Sequence, residues 1–282
     1  MPDTLDSQQI SRASYRFIAE KVYEHSRIRL GDGKQALVSG RLTQRLRKLC
    51  LDSFEAYCEV LQSAKGQEEI GPLVDLISTN HTSFFREIEH INFLRDQALK
   101  EWFPRAARNS ETFRFWSAAC SSGEEPYTIA IVLAEYARTH GMFNWQIEAS
   151  DISSRILAKA QSAIYDEGRI QMPQPEWLQR YFQKGTGSFS GQYRVKDSLL
   201  KQVKFHRLNL LQAQYPVQPN QHVIFCRNVM IYFDQPTQQE LVLKLINQLV
   251  PCGYFVVGHS ESLLGIKHPL KSIKPGIYQK GE

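Results

Sequence analysis

Two hydrophobic rhythms divide the chain. Up to about residue 64, apolar side chains recur at helical spacing, with Ile10, Phe17, Ile18, Val22 and Tyr23 on one amphipathic stripe. Gly31, Asp32, Gly33 and Gly40 punctuate a loop, and a second helix is predicted from about Arg41 through Leu49. Leu42, Leu46 and Leu49 fall on one face of it; Arg41, Arg45 and Lys48 fall on the neighbouring face. Gly66 to Pro72 reads as a hinge-like segment, and Leu73 to Ile77 as the start of a connecting helix. A domain boundary is therefore expected there or slightly after, giving an all-helical domain over 1–75 and a second domain over 76–282.

Beyond residue 112 the pattern turns to buried strands alternating with helices. Phe113 to Ala118 is a strand with aromatic side chains on both faces. The small residues Ser117, Ala118, Ala119, Cys120, Ser121, Ser122 and Gly123 follow without a break, and such a run lets a bulky ligand lie against the backbone. Pro126 suits the first position of a helix carrying Ile129, Ala130, Leu133 and Ala137. Strand, tight turn and helix together are the opening unit of a nucleotide-binding α/β sheet. A second strand runs from Trp145 to Ser150 and ends in Asp151, before a helix around 153–164. Residues 165–185, rich in Gln and Pro with Trp177, Tyr181 and Phe182, read as irregular helix. Gly185 to Val195 reads as a loop into a strand whose antiparallel partner is expected at Val203 to His206, a small β unit interrupting the βαβ rhythm. Val223 to Cys226 and Gly253 to Gly258 are further strands around a helix from Pro236 to about Val250. Ile273, Ile277 and Tyr278 suit a last edge strand.

Composition adds bounds. A chain of 282 residues with 42% apolar and 22% charged residues buries a real core, and no apolar run approaches a membrane span. The opening Met-Pro-Asp-Thr-Leu-Asp-Ser lacks the basic-then-apolar order of a secretory signal. Five cysteines with no C-x-x-C pair argue against a disulfide framework or a zinc site, and for a reducing cytoplasm. The net charge of +5 is mild. Between residues 27 and 48, however, seven basic side chains (Arg27, Arg29, Lys34, Arg41, Arg45, Arg47, Lys48) face one acid, Asp32. The ordinary account of such a run is a solvated face.

The candidate chemistry sits at the turns. G-x-G-x-x-G needs three glycines, and the first turn has only Gly123. Glu124 and Glu125 repel a pyrophosphate where anions normally bind. They suit a ligand with a positive centre and no phosphate, such as S-adenosylmethionine (SAM), although two acids also favour a helix dipole. Asp151, about thirty residues after the first turn, is placed to accept from both ribose hydroxyls; the alternative is an N-cap for the next helix. Arg86 follows Phe84 and Phe85, and a guanidinium beside an apolar pocket usually has a carboxylate to hold.

With these residues laid out, the chain resembles the chemoreceptor glutamate methyltransferases, the CheR family. The likeness covers nearly its whole length. It rests on Thr79-Asn80-x-Thr82-x-Phe84-Phe85-Arg86, Trp116-Ser117-Ala118-Ala119-x-Ser121-x-Gly123-Glu124-Glu125-Pro126-Tyr127, Ala149-Ser150-Asp151-Ile152, Cys226-Arg227-Asn228-Val229-Met230-Ile231-Tyr232-Phe233 and Gly258-His259-Ser260-Glu261. The resemblance implies an N-terminal helical domain and a SAM-methyltransferase Rossmann-like sheet with helices on both faces. It also implies a small inserted antiparallel β-subdomain, at about 185–207. It implies methylation of glutamates on the cytoplasmic helices of chemotaxis receptors, with S-adenosylhomocysteine as product. By that likeness Asn80, Thr82, Arg86, Glu125, Asp151, Asn209, Leu210, Asn228 and Val229 contact SAM. Some members dock a receptor's C-terminal peptide on the β-subdomain, and the spacing of Gly185, Gly187 and Gly191 is similar to theirs.

A glutamate side chain is ionised at neutral pH, so methyl transfer to it needs no general base. Alignment and desolvation remain as the means of catalysis, with Phe84, Phe85 and Tyr232 excluding water. Arg86 and Tyr232 are the catalytic candidates, and no metal is called for. Receptor methylation helices are acidic, so Arg41, Arg45 and Lys48 become a candidate receptor-steering face. An RNA acceptor is disfavoured by the mild charge and the lack of a basic, aromatic-rich groove. A nicotinamide dehydrogenase is disfavoured by the missing glycines. A non-catalytic SAM-sensing adaptor is disfavoured by Arg86 and Tyr232.

Overall fold

The computed structural model describes residues 9–282, and of residues 106–109 the backbone alone. The opening seven residues, read above for a secretory signal, lie outside the described residues. The chain divides into two compact units. One holds the residues up to Thr79 together with Tyr232–Thr237, and the other holds Asn80–Ile231 with Gln238–Glu282.

The first unit contains α1 (Arg12–Ser26), α2 (Gln35–Lys48), α3 (Phe54–Gln62) and α4 (Gly66–Ile77). Ser11 and Ser53 cap α1 and α3, each hydroxyl accepting from the amide three residues on. α4 packs against the other three. Ile18, Val22, Val38, Leu42, Leu46, Tyr57 and Leu73 are fully buried between them. The hinge expected at Gly66 to Pro72 is instead the first half of α4. Gly66 is small because a Cβ there would lie 2.2 Å from the Leu61 carbonyl oxygen, where α4 turns back on α3. Pro72 lies inside the helix, so neither residue marks a break in the chain. Tyr23 donates its hydroxyl to Asp234, and the Arg29 amide donates to the Tyr232 carbonyl, which binds that short segment to this unit.

The arginines of α2 do not form one solvated face. Arg45 Nε donates to Glu69 Oε1 at 2.8 Å, its Nη2 reaches the other oxygen, and Tyr57 donates to the same carboxylate. Arg45 keeps 16% of its side chain exposed and Glu69 only 7%. Arg41 turns its guanidinium onto the Leu76, Ile77 and Ser78 carbonyls at the end of α4, where the helix dipole favours a cation. Of the three basic residues expected to face a partner, Lys48 is the one that is exposed.

The second unit opens with a short helix α5 (Ile88–Phe93) running through one π-turn into α6 (Leu99–Asn109). Its sheet comprises β1 (Phe113–Ala118) and β2 (Trp145–Asp151), joined by α7 (Glu124–His140); α8 (Ser154–Ser162) follows β2. An inserted small sheet holds β3 (Ile164–Asp166), β4 (Phe182–Lys184) and β5 (Gln192–Val195), with α9 (Pro175–Tyr181) between β3 and β4. α10 (Asp197–Leu200) leads to β6 (Val203–Arg207), then β7 (Gln221–Phe225), α11 (Gln235–Ile246), β8 (Leu249–Val256), β9 (Lys271–Lys274) and β10 (Ile277–Gln279). The large sheet has the order β6-β2-β1-β7-β8-β10-β9. Its first five strands are parallel; β10 pairs antiparallel with β8 on one side and with β9 on the other. All of β7 is buried, as expected of a parallel strand covered on both faces. The last strand of the chain, β10, is interior to the sheet, and β9 forms the edge.

Two expectations fail here for one reason. Val203–His206 is not the partner of the strand before it: β6 runs parallel to β2 at the far edge of the main sheet, Val203 beside Ile147. The partners of β5 are β3 and β4, so the inserted sheet spans 164–195 rather than 185–207, and part of the stretch read as irregular helix is strand. Three-residue strands are too short to show alternation. The glycines did mark the turn between β4 and β5: Gly191 has φ 79°, and a Cβ on Gly185 would lie 2.2 Å from the Phe189 carbonyl oxygen.

Arg45→Ala is expected to cost about 3 kcal/mol of unfolding free energy, because Glu69 loses its cation while staying buried. Lys48→Ala should change stability by less than about 0.5 kcal/mol. Denaturant unfolding of both variants measures the difference, and equal stabilities would show that the Arg45–Glu69 pair contributes nothing.

Candidate functional site

The loop leaving β1 has a backbone suited to small residues. Ala119 (φ 83°), Ser121 (φ 50°) and Gly123 (φ 95°) are all in the left-handed region. The Ala119 and Cys120 amides both donate to the Ser150 carbonyl, at 2.9 and 2.8 Å. Asp151 accepts from the Ser121 amide at 2.9 Å and the Ser153 amide at 3.0 Å. Ser153 is the N-cap of α8; Asp151 instead ties the β1 loop to the end of β2. The Ser121 hydroxyl donates to the Asn80 carbonyl at 3.0 Å, which fastens the 80–87 segment to the same loop, with Thr82 half-buried in it. The Leu208 amide donates to the Asp151 carbonyl at 2.9 Å, so Asn209 and buried Leu210 follow directly, Asn209 accepting from the Leu211 amide.

A second set of bonds converges on Arg227, at the end of β7. Its guanidinium is 2% exposed. Nη1 donates to Glu125 at 3.0 Å, Nη2 to the Arg86 carbonyl at 2.6 Å and to Glu87 at 3.0 Å. Glu125 also accepts from the Ser117 hydroxyl in β1 at 2.6 Å, and Glu87 from the Asn228 carboxamide at 3.1 Å. Burial alone would raise the Glu87 pKa. His90, Arg227 and Asn228 outweigh it and hold this carboxyl far below the usual range. Glu87 and Asn228 are themselves in left-handed backbone.

The two glutamates at the start of α7 part company. Glu124 is fully buried, accepting from the Ser122 hydroxyl at 2.6 Å and from Arg169 at 3.2 Å. Glu125 keeps 14% of its side chain exposed and bridges β1 to Arg227. Helix α7 begins at Glu124, so Pro126 is its third residue rather than its first; its missing N–H costs no intrahelical hydrogen bond there. Phe84 is core, packed edge-on against Tyr165 and Phe182, and Phe85 lies against Trp177. Arg86 donates to the His81 carbonyl at 2.8 Å, with 32% of its side chain exposed. Val229 is half-buried in the loop after Asn228. Tyr232 belongs to the helical unit, where Lys34 lies 5.7 Å from its ring centroid.

Two other chemistries find little support. Glu87, His90 and His259 offer ligand atoms within 4.8 Å of one another. The shared carboxylate is already neutralised by Arg227, which a cation would have to face at close range. Cys120 and Cys226 are fully buried, and desolvation pushes both thiols well above their ordinary pKa, which disfavours either as a thiolate nucleophile.

The donor set fits an adenosyl ligand with a positive centre. Asp151 closes β2, Glu125 stands in the first turn of α7 beyond the end of β1, and the loop of short residues before α7 holds Gly123 as its one glycine. A parallel α/β sheet with acids in these places is the sheet of a SAM-dependent methyltransferase. Residues 80–278 match the model for the CheR methyltransferase, SAM binding domain, and residues 13–78 that for the CheR methyltransferase, all-alpha domain. The chain belongs to the CheR methyltransferase family. It is 42% identical over 253 residues to the chemotaxis protein methyltransferase of Escherichia coli, covering 90% of this chain and 85% of that one. It is 38% identical over 271 residues to chemotaxis protein methyltransferase 2 of Pseudomonas aeruginosa (95% and 93%). To the chemotaxis protein methyltransferase of Borreliella burgdorferi it is 39% identical over 264 residues (92% and 91%). The chain is thus an enzyme, a SAM-dependent methyltransferase of chemotaxis.

Arg227, Glu87 and Glu261 received no role from the sequence, although all three sit in or beside the motif blocks. The available signal was a lone charge closing an apolar run, as in Val223 to Arg227. Asp151→Ala should weaken S-adenosylhomocysteine binding at least about tenfold, near 1.4 kcal/mol, because the loop after β1 loses its Ser121 anchor. Titration calorimetry reads this, and an unchanged affinity would remove Asp151 from the site.

Proposed function

We propose that this enzyme forms methyl esters on glutamate side chains of the cytoplasmic helices of chemotaxis receptors, and so sets their adaptation. The observation that carries this reading is the pair of linked acids, Asp151 and Glu125, presented where a phosphate cradle would otherwise lie. Asn80, Thr82, Arg86, Glu125, Asp151, Asn209, Leu210, Asn228 and Val229 are the proposed SAM contacts. SAM supplies, when bound, a methyl group on a sulfonium centre. The chain's own part is to align and dry the substrate carboxylate, which needs no base at neutral pH. Arg86 orients that carboxylate, and Tyr232 is assigned to the same task by the motif that contains it. Arg86 must hold the anion without over-stabilising it, since equal binding of ground and transition states raises no turnover.

The helical unit is proposed as the receptor-facing domain and the sheet unit as the catalytic one, both working in the cytoplasm. No helix among the described residues is long and apolar enough to cross a membrane. Steering of the acidic receptor helix then falls to exposed basic side chains such as Lys48, since Arg41 and Arg45 are engaged within their own unit. The inserted sheet has β5 in its centre and β3 and β4 at its edges. An open edge can take up an extended receptor C-terminal peptide as a further strand.

Arg86→Ala should abolish transfer of labelled methyl groups from SAM to receptor cytoplasmic fragments; turnover at the wild-type rate would exclude Arg86 from the reaction. Lys48→Glu should slow methylation and flatten its salt dependence at unchanged SAM affinity. If neither rate nor salt dependence moves, Lys48 does not steer.

A further inference from the structure

The Gly258-His259-Ser260-Glu261 block has no role in the reading above, yet it carries a buried carboxylate with an unusual set of partners. Glu261 is 8% exposed. Its Oε2 accepts from the Asn228 amide at 2.7 Å and the Gly258 amide at 2.7 Å. Its Oε1 accepts from the Met230 amide at 2.8 Å and the Ile231 amide at 3.3 Å. All four donors are main chain, and no Lys or Arg forms an ion pair with it among the described residues. Burial raises the Glu261 pKa while the four amides oppose that rise. An unpaired buried carboxylate is costly to keep in a core.

Three of the four amides belong to the loop that leaves β7. That loop begins in left-handed backbone at Asn228 (φ 58°) and continues into the short helical turn Met230–Tyr232. The first amides of such a turn have no carbonyl partner of their own. Glu261 collects them from outside, as a capping anion does. The close packing is visible at Gly258, where a Cβ would lie 2.5 Å from Asn228 Nδ2 and 2.9 Å from Glu261 Oε2. With its backbone fixed, Asn228 turns its carboxamide to Glu87, the same carboxylate that holds Arg227. Arg227 in turn holds Glu125 and the Arg86 carbonyl. The His259 amide closes the set by donating to Glu87 at 3.2 Å.

We infer that Glu261 is a positioning residue for methyl transfer: its carboxylate fixes the Asn228–Ile231 backbone, and through Asn228 and Glu87 sets where Arg227, Glu125 and Arg86 stand. This deepens the reading under Proposed function and rests on it. Glu261 itself touches neither SAM nor the substrate. Glu261→Gln keeps the shape but replaces one acceptor oxygen with a donor that faces backbone amides, so one side of the clamp opens. A misplacement of the order of an ångström at reacting groups costs up to about a hundredfold in rate.

The test compares the full-length wild type with Glu261→Gln, Glu261→Ala and a core control, Val242→Ala in α11, in one assay series. The measurements are S-adenosylhomocysteine affinity by calorimetry, kcat and KM for receptor fragments, melting temperature, and amide exchange at residues 228–231. Glu261→Gln should bind S-adenosylhomocysteine about tenfold more weakly and lose at least about tenfold in kcat, with the receptor KM within about twofold. Exchange should quicken at Asn228, Met230 and Ile231. Val242→Ala should lower the melting temperature at least as much while affinity and kcat stay near wild type. Wild-type affinity and kcat in both Glu261 variants would overturn the proposal. So would a loss in Val242→Ala as large as theirs, since the effect would then be one of general stability. A wild type that neither binds S-adenosylhomocysteine nor methylates would overturn the underlying reading as well, which separates the two failures.

Discussion

The site depends on one buried cation. Arg227 brings a guanidinium into a place where it is almost wholly desolvated, and such a group is tolerable only when its donors are all taken. Two carboxylates and a carbonyl accept from it, and they come from two separate stretches of chain: Glu125 from the head of α7, Glu87 and the Arg86 carbonyl from the segment before α5. Removing either acid would leave the cation short of a partner. The requirement for satisfaction therefore fixes the head of α7 and the segment before α5 relative to the end of β7. Two acids around one arginine also leave a surplus of negative charge, and Asp151 adds to it. A pocket with that balance is suited to a cationic ligand and repels a pyrophosphate.

How much of this was legible follows from the range of each interaction. The strand, turn and helix at 113–140 declare themselves locally, because an apolar run, a small-residue run and a helical period are properties of neighbouring residues. Asp151 was legible for the same reason, standing at a strand end. The family likeness supplied the ordered blocks and with them the cofactor. Arg227 and Glu261 were not legible as partners, since their bonds span more than a hundred residues in one case and about thirty in the other. The inserted sheet was misplaced because its outer strands are three residues long, while β6 has equal local claim to be the partner of β5.

The basic run on α2 shows the converse, a signal legible but ambiguous. Spacing put Arg41, Arg45 and Lys48 on one stripe, and a stripe of charge is equally consistent with solvent, a partner or internal pairing. Glu69 decides for Arg45. It lies on α4, twenty-four residues away, and brings Tyr57 into the same cluster. Arg41 is decided by the carbonyl end of that same helix. Charge counted along a sequence thus overstates charge available at a surface, and the excess disappears into pairs that hold the helices together.

The two arginines near Glu87 divide the electrostatic work in a way that bears on the reaction. Arg227 is enclosed and its charge is matched by acids at 3.0 Å on both sides, so it has nothing left to offer a substrate. Arg86 is the neighbour in space through its own carbonyl, but its guanidinium is one-third exposed. Its hydrogen bond goes to the neutral His81 carbonyl, and the nearest acid in ion-pair reach is at 3.9 Å. A carboxylate arriving in a site already rich in acids needs a cation that has not been spent. Of the two, Arg86 comes nearer to that condition, because the close ion pairs of Glu125 and Glu87 are made with Arg227 and only the longer contact of Glu87 reaches Arg86.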